Sequence, residues 1–421
     1  MPQSMHVILA TVGTDGDVFP HIGLGRILRA RGHRVTIAAP ETYRDKVTAL
    51  NLEFCALATA EEVSRMLADP DLWHPLRSGP MMARWGGEMI PRQYAALAAL
   101  VRDGSAIVVA NPGLLAARIV QEKLGCPMAS LLLQPGLVPS SDAPPEMVGG
   151  LTIPAWLPHQ LRKLYWLAVD AAGYFLVAPY LNRFRLGLGL PPVRRLFQWW
   201  LSPDLVIGLF PPWYAIPQGD WPPQIRLAGF GRYDGATAEL SSDVRAFCAA
   251  GPSPIAFTLG TGMAHAAEFF RTAVRACAAI GTRGLLLTKF PEIVPRRLPP
   301  TILHCRFAPF RQLLPLCGAL VHHGGIGTTA AALDAGCPQL ILSLAWDQPD
   351  NAARVEKMGA GIALGSRQRG SGTMARALTR LMTPEVRGRC GSLAARAKQE
   401  NGLEISADWV EQLFASSRKG I

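Results

Sequence analysis

Acidic residues are in short supply: 31 Asp and Glu stand against 42 Lys and Arg in 421 residues, a formal charge of +11. Nucleic acid, an acidic membrane surface or an anionic substrate could each answer such an excess. The basic residues are scattered and form no Lys/Arg-dense run, so no nucleic-acid partner is expected. The eight cysteines contain no CxxC pair and sit mostly in apolar runs, where a thiol behaves as a small hydrophobe. That usage fits a reducing cytoplasm better than a disulfide framework. No stretch reaches about 18 uninterrupted apolar residues. "WLAVDAAGYFLVAPYL" comes nearest, and Asp170 and Pro179 interrupt it, so a spanning helix is not expected. The short polar lead before the first strand carries no signal-peptide pattern. The expectation is a cytoplasmic protein, with contact at the inner face of the membrane left open. The first strand is followed by "GTDGD" rather than GxGxxG, which argues against an NAD or FAD oxidoreductase.

What is present is length and alternation. A chain of 421 residues suits two domains of roughly 200 residues each. Buried-strand runs such as "HVILATV" (6–12), "RVTIAAP" (34–40), "AIVVA" (106–110) and "PMASLLL" (127–133) alternate with helical stretches. From 140 to 200 the pattern loosens into Pro-rich, Trp-containing, helix-prone sequence. Residues 231–253 are poor in apolar runs, and after them the alternation restarts with "PIAFTLG". This predicts an α/β protein of two Rossmann-like, doubly wound domains facing a cleft. The expected bounds are 1–235, a linker at 236–253, and 254–421. Ligands in such sheets bind at the carboxyl ends of the strands.

The loops at those ends carry the chemistry. "VHHGGIGTTAAALDAGCP" (321–338) is a glycine-rich turn at a helix N-terminus, where free N–H groups and the positive dipole end favour an anion. Thr328 and Thr329 can donate hydroxyl hydrogen bonds, and His322 or His323 a charge-assisted one. The competing explanation is a tight turn with a capping Thr and one core His. Three neighbours favour the anion. "AWDQPDNAARV" (345–355) sets an acid beside an amide, suited to sugar hydroxyls. "FTLGTG" (257–262) opens another Gly/Thr loop, and "RFAPF" (306–310) offers an aromatic to a nucleobase.

The pattern F-x-P, HHGGxGT and DQ-x-x-N-A resembles the donor signature of the GT-B fold, inverting glycosyltransferases of family 1. Within them it is similar to the bacterial branch of the glycopeptide-antibiotic, sterol and rhamnolipid glycosyltransferases. "GTDGDVFPHIGLGRILRARGHRV", "DPDLWHP", "LFPPWYA" and "DWPPQIRLAGFGRYDG" look most like the catalytic rhamnosyltransferase chain of rhamnolipid synthesis. The resemblance implies that Phe307 stacks on the base while the backbone of Ala308 pairs with it. It implies that Thr261, His323, Gly325, Gly327 and Thr328 hold the diphosphate, and that Asp347 and Gln348 bind the sugar hydroxyls. The plant-type signature has a ribose-binding Glu where Ala331 stands here, which permits a dTDP-sugar as well as a UDP-sugar.

Asp17 occupies the place where plant relatives carry a catalytic His and the bacterial branch an Asp. A carboxylate there can take the acceptor's proton as its oxygen attacks the anomeric carbon. The plant His needs a second carboxylate to orient it, and at "VVANP" Asn111 and Pro112 supply none. The competing role for Asp17 is to cap a helix beginning near Val18 or Phe19. His21 is the fallback base. On the acceptor side, residues 155–200 hold four Trp, among them Trp156 and Trp166, and six basic residues against Asp170 alone. Such a stretch could dock a lipid carrying a carboxylate or touch an anionic membrane; ordinary packing with snorkelling Arg is the alternative. Two DxD triplets, Asp15/Asp17 and Asp69/Asp71, are a weak metal signal, and no metal ion is expected. The expectation is thus an inverting, metal-independent transferase that holds no cofactor and uses a dTDP- or UDP-sugar as co-substrate. The expected reaction moves L-rhamnose from dTDP-rhamnose to a hydrophobic acceptor such as a hydroxy fatty acid ester. A UDP-glucose-dependent enzyme acting on a sterol, polyketide or phenol is the alternative. A non-catalytic GT-B partner and a non-hydrolysing epimerase stand behind it.

Overall fold

Short Val/Ile/Leu/Ala runs flanked by helices form parallel strands whose two faces are both covered. In the computed structural model, β1 (His6–Ala10), β2 (Arg34–Pro40), β3 (Glu53–Ala58), β4 (Ala106–Ala110), β5 (Met128–Leu132), β6 (Leu205–Gly208) and β7 (Ile225–Leu227) make one sheet. Its order is β3-β2-β1-β4-β5-β6-β7, and the paired strands run parallel. A second sheet holds β8 (Ile255–Phe257), β9 (Gly284–Leu287), β10 (Ile302–Cys305), β11 (Ala319–His322), β12 (Gln339–Ile341) and β13 (Gly361–Ala363), ordered β10-β9-β8-β11-β12-β13. Strand order reverses between β1 and β4 in the first sheet and between β8 and β11 in the second, so each has a switch point of the Rossmann kind. The structure describes residues 4–418 except 75, 102–103, 147–151, 155, 234, 236–238 and 261–265.

The chain divides into two units, Met1–Pro145, Gly149–Arg232 and Asn401–Ile421 against Glu146–Val148 and Tyr233–Glu400. Two of the expected bounds need correction. The segment expected as a linker contains the helix Ser242–Ala249, capped by Ser241 Oγ accepting from Val244 N–H at 3.4 Å. Val244 and Cys248 are buried in the same cluster as Leu285 and Leu320, so hydrophobic burial ties this helix to the second unit. The last helix, Gly402–Ser417, leaves the second unit and packs on the helix Asp15–Ala30 of the first. Arg31 draws it there, reaching Glu404 at 2.6 Å, Asp408 at 2.7 Å and Glu411 at 3.1 Å. Beneath those charges Leu403, Ala407, Val410 and Phe414 are buried.

The loose 140–200 region holds one 29-residue helix, His159–Gly187, that runs through Pro179. Pro179 is exposed, so the Phe175 carbonyl that its missing N–H leaves free lies on the solvent side of the helix. Asp170 is buried and held by Arg195 at 2.5 Å and by Phe197 N–H at 2.9 Å. By length and composition this helix is apolar enough to cross a membrane.

Arg31→Ala is expected to cost about 1 kcal/mol of stability at low salt and less near 0.5 M NaCl, because partly exposed ion pairs are screened. Urea unfolding at the two salt concentrations checks this; a salt-independent loss would assign the effect to packing.

Candidate active site

In the first unit the loop after β1 turns through Gly13, whose φ of +122° suits glycine. A Cβ there would lie 2.2 Å from Asp17 Oδ2. The helix begins at Asp15 with Thr14 as N-cap, three residues earlier than the sequence predicts, which puts Asp17 at the third helical position. There Asp17 closes a capping box, its Oδ2 accepting the Thr14 N–H at 2.9 Å. Burial nevertheless raises its pKa from 3.8 to about 6, outweighing the hydrogen bonds from Thr14 that lower it. A carboxylate tuned near neutrality is suited to accept a proton.

His21 donates from Nδ1 to the Asp17 carbonyl at 2.8 Å and has no exposed surface. Burial lowers its pKa to about 4, and its Nε2 is buried without a hydrogen-bond partner. In this structure His21 therefore anchors the backbone of Asp17 and is not presented to an acceptor. Asp15, the other acid of the first triplet, accepts from Tyr43 Oη at 2.9 Å and faces Lys46 at 3.6 Å. Asp69 accepts the Asp71 N–H at 2.9 Å and Asp71 pairs with Arg77 at 2.9 Å. Asn111, at the end of β4, accepts the Gly113 N–H at 2.8 Å. Trp166 donates to the Ser140 carbonyl at 2.5 Å, whereas Trp156 is 80% exposed. Neither shares a hydrogen bond or ring contact with Asp17 or His21 among the described residues.

In the second unit the two histidines of the glycine turn have different roles. His322 is fully buried; its Nδ1 accepts the Gly324 N–H at 3.1 Å and its Nε2 faces Gln339 Oε1 at 3.0 Å. Those partners assign the proton to Nε2 and make His322 the brace of the turn. His323 is half-buried, with Nδ1 buried and unpartnered, and burial lowers its pKa to about 4. The ring is thus neutral at pH 7, and a charge-assisted hydrogen bond from it would take its charge from the phosphate. It lies over two glycines: a Cβ on Gly325 would be 2.6 Å from Nε2, and one on Gly260 2.9 Å from Cε1. Gly325 is the N-cap of the helix Ile326–Ala335 and offers no side-chain cap, so first-turn N–H groups are left for an anion. Gly327 is exposed and Thr328 half-buried, while Thr329 is fully buried and turned away from solvent.

The Asn351 side chain binds the loop after β12 to this turn. Asn351 Nδ2 donates to the Gly324 carbonyl at 2.9 Å and to Asp347 Oδ2 at 2.7 Å. The sequence motif contains Asn351 but gives no sign of this role. Gln348 Oε1 accepts from Leu344 N–H at 2.7 Å and Ala345 N–H at 3.1 Å, leaving only its NH2 for a ligand. Those two bonds hold the loop that bears Trp346, an exposed aromatic at φ +61°, a strained value for a bulky side chain. In the loop after β10, Phe307 is 53% exposed and Ala308 buried. Ala331 packs on the same cluster as Ala308, so no acid stands there beside the Phe307 loop. Thr261 lies outside the described residues.

Two parallel sheets, each with candidate site residues at the carboxyl ends around its switch point, make the frame of a GT-B glycosyltransferase. Residues 7–135 match the glycosyltransferase family 28 N-terminal domain, and residues 291–402 match the Erythromycin biosynthesis protein CIII-like C-terminal domain. The chain is 30% identical to O-mycaminosyltylonolide 6-deoxyallosyltransferase of Streptomyces fradiae, over 97% of this chain and 98% of that one. It is 29% identical to vancomycin aglycone glucosyltransferase of Amycolatopsis orientalis, over 96% of each. Among solved structures, the glycosyltransferase of kitacinnamycin superposes with a TM-score of 0.75 at 20% identity, covering 98% of this chain and 100% of that one. Spinosyn rhamnosyltransferase SpnG, complexed with thymidine diphosphate, gives 0.67 at 17% identity, covering 97% and 100%. The chain belongs to the GT-B family 1 glycosyltransferases, in the bacterial branch typified by the erythromycin CIII-like domain, and is a transferase.

His322→Ala is expected to cost about 2–4 kcal/mol of stability, since it removes a buried ring and strands the Gly324 N–H and the Gln339 carbonyl. His323→Ala should cost under about 1 kcal/mol, because no hydrogen bond is lost. Denaturant unfolding of the two variants checks the division, and equal losses would contradict it. Asp17 gives a pH signature. Its pKa is about 6 in the folded chain against 3.8 for an unperturbed carboxyl, so ionisation disfavours the folded chain. Stability relative to Asp17→Asn should therefore fall as pH rises from about 4 to about 6, then stay level. Unfolding midpoints across that range test it.

Proposed function

We propose that the chain transfers a sugar from a nucleotide sugar to the hydroxyl of a hydrophobic acceptor, with dTDP-L-rhamnose as donor and a hydroxy fatty acid ester as acceptor. The observation that carries the transfer chemistry is Asp17, a half-buried carboxylate whose pKa of about 6 stands at a sheet's switch point. As the acceptor oxygen bonds to the anomeric carbon, Asp17 takes its proton, and the bond from that carbon to the diphosphate oxygen breaks with inversion. The departing diphosphate carries its charge to the first-turn N–H groups at Gly325, Ile326, Gly327 and Thr328. His323 adds one N–H to a phosphate oxygen. Asp347 and the free NH2 of Gln348 take the sugar hydroxyls, and Phe307 offers its exposed face to the base.

The dTDP assignment is supported by Ala331, since a site without a ribose-binding acid exacts no penalty for a missing 2′-hydroxyl. SpnG, similar in fold, is a rhamnosyltransferase with thymidine diphosphate bound, and the S. fradiae relative transfers a 6-deoxyhexose. The vancomycin-type relative favours a second reading, a UDP-glucose-dependent enzyme acting on a sterol, polyketide or phenolic product. Turnover with dTDP-L-rhamnose and UDP-glucose, each against hydroxy fatty acids of increasing length and a flat phenol, separates the two. Each buried methylene contributes about 0.8 kcal/mol, so apparent affinity should rise with chain length until the pocket fills. Preference for UDP-glucose and the phenol would select the second reading.

Asp17→Asn is expected to lower turnover about 100- to 10,000-fold while leaving dTDP affinity within a few-fold. In the parent, rate should fall as pH drops through about 6, because the protonated carboxyl cannot take a proton. An Asn variant within threefold of the parent would move the base elsewhere. His323→Ala should weaken dTDP binding by about 1.5–3 kcal/mol, the scale of a hydrogen bond to a charged group. Calorimetry on both variants checks these affinities, and EDTA should leave turnover intact.

A further inference from the structure

We propose that the helix His159–Gly187 docks this protein on an anionic lipid surface, lying in the headgroup layer along its exposed apolar face. The inference stands apart from the identity of donor and acceptor, because it rests on a surface of the first unit alone.

The face is continuous. Leu161, Leu164, Ala168, Phe175, Pro179 and Leu186 follow spacings of three, four and seven, so they fall on one line of the helix. Every one of them is exposed, Leu164 at 61% and Phe175 at 74%. At 1.5 Å per residue, 29 residues extend about 43 Å. A monomer in water rarely shows so long an apolar stripe unless something covers it.

Charge identifies the cover. The only acid of the helix, Asp170, is buried and committed to Arg195 and Phe197 N–H, so it is not available to the other cations of the helix. Arg185 is buried against Glu122. What the helix shows to solvent is Lys163 and Arg183, with Arg162 half-exposed and Arg194 exposed just beyond its end. None of these four makes an ion pair among the described residues. Trp156, three residues before the helix and 80% exposed, adds an amphipathic ring of the kind that settles at a lipid–water boundary. An apolar stripe with Arg183 beside it, Arg162 and Lys163 near its first turn and Arg194 just past its end is complementary to acyl chains beneath anionic headgroups. A second copy of the chain fits less well, because it would bring the same uncompensated positive charge to the contact.

The helix lies on the bilayer and does not span it. Its other face is committed to the first unit, where Leu181 packs with Ile90, Ile119, Val193 and Leu196. The Asp170–Arg195 and Arg185–Glu122 pairs fasten the same side.

The test is flotation of the full chain with vesicles of phosphatidylcholine alone and of phosphatidylcholine with about 30% phosphatidylglycerol. The parent should float with the anionic vesicles, at least tenfold more than with the neutral ones. Leu164→Glu with Phe175→Glu should abolish flotation, and Lys163→Glu with Arg183→Glu should reduce it at least fivefold. All four positions are solvent-facing, and circular dichroism of each variant confirms that it is folded. Absence of flotation of the parent, or flotation unchanged in both variants, overturns the proposal. So does a dimer seen by light scattering that the apolar variant dissociates, which would give the face to a second copy.

Discussion

A buried primary amide ties the glycine turn of the second unit to the loop that follows β12. Asn351 Nδ2 donates at once to the carbonyl of Gly324 and to Oδ2 of Asp347, and it does so with no exposed surface. A buried amide sharing its protons between a turn and a carboxylate fixes both, because releasing either would strand a polar group away from water. The carbonyl it holds belongs to a glycine at φ +94°, where a Cβ would stand 2.8 Å from Ile341 Cγ2. Backbone geometry and side-chain hydrogen bonding thus demand each other: the turn needs glycine, and the glycine carbonyl needs Asn351. Gln348 performs the matching service for Leu344 and Ala345, which keeps Trp346 in its strained conformation.

Burial sets the protonation of the groups around both switch points. His322 and His323 are pushed down to about 3 and about 4, His21 to about 4, and Asp17 up to about 6, with desolvation the leading cause in every case. The histidine shifts have one consequence. The three histidines bring no positive charge to these sites despite the +11 of the whole chain. A diphosphate arriving at the glycine turn would meet first-turn N–H dipoles and neutral histidines, and the dipoles need no reorganisation as the leaving group gains charge. Asp17 is balanced between two opposed influences. Burial favours the proton, while the Thr14 N–H and hydroxyl favour the carboxylate, and the outcome lies close enough to neutrality for the group to work in either direction.

The strands were the most legible part of the sequence, since a parallel strand covered on both faces is written as a predominantly apolar run. "RVTIAAP" and "AIVVA" coincide with β2 and β4 residue for residue. The helix start at Asp15 was not legible, because Thr14 and Asp17 cap it through a reciprocal pair in which either residue alone could pass for the cap. The return of Gly402–Ser417 to the first unit was hidden for a different reason. It is decided by Arg31 and His33 meeting Glu404, Asp408 and Glu411, partners nearly the whole chain apart. In the candidate site the motif names Asp347, Gln348 and His323, but not the division of labour between the two histidines. That division follows from Gln339, a neighbour in space from the next strand, which engages Nε2 of His322.

The helix His159–Gly187 was obscured by the features that give it meaning. Asp170 and Pro179 look like interruptions when the segment is judged as a span. Each is harmless in place, because Asp170 meets Arg195 on the inner side and Pro179 stands on the outer, where water can serve the Phe175 carbonyl. A helix selected only for packing would put its large apolar residues inward and leave polar ones outward. Here Leu181 and Ala178 do face inward, beside the ion pairs of Asp170 and Arg185, but Leu164 and Phe175 face outward. The outer leucine and phenylalanine make no contribution to that inner packing, so their placement is not explained by the stability of the unit. It is explained by a requirement outside the unit, an apolar surface to which the helix presents its face.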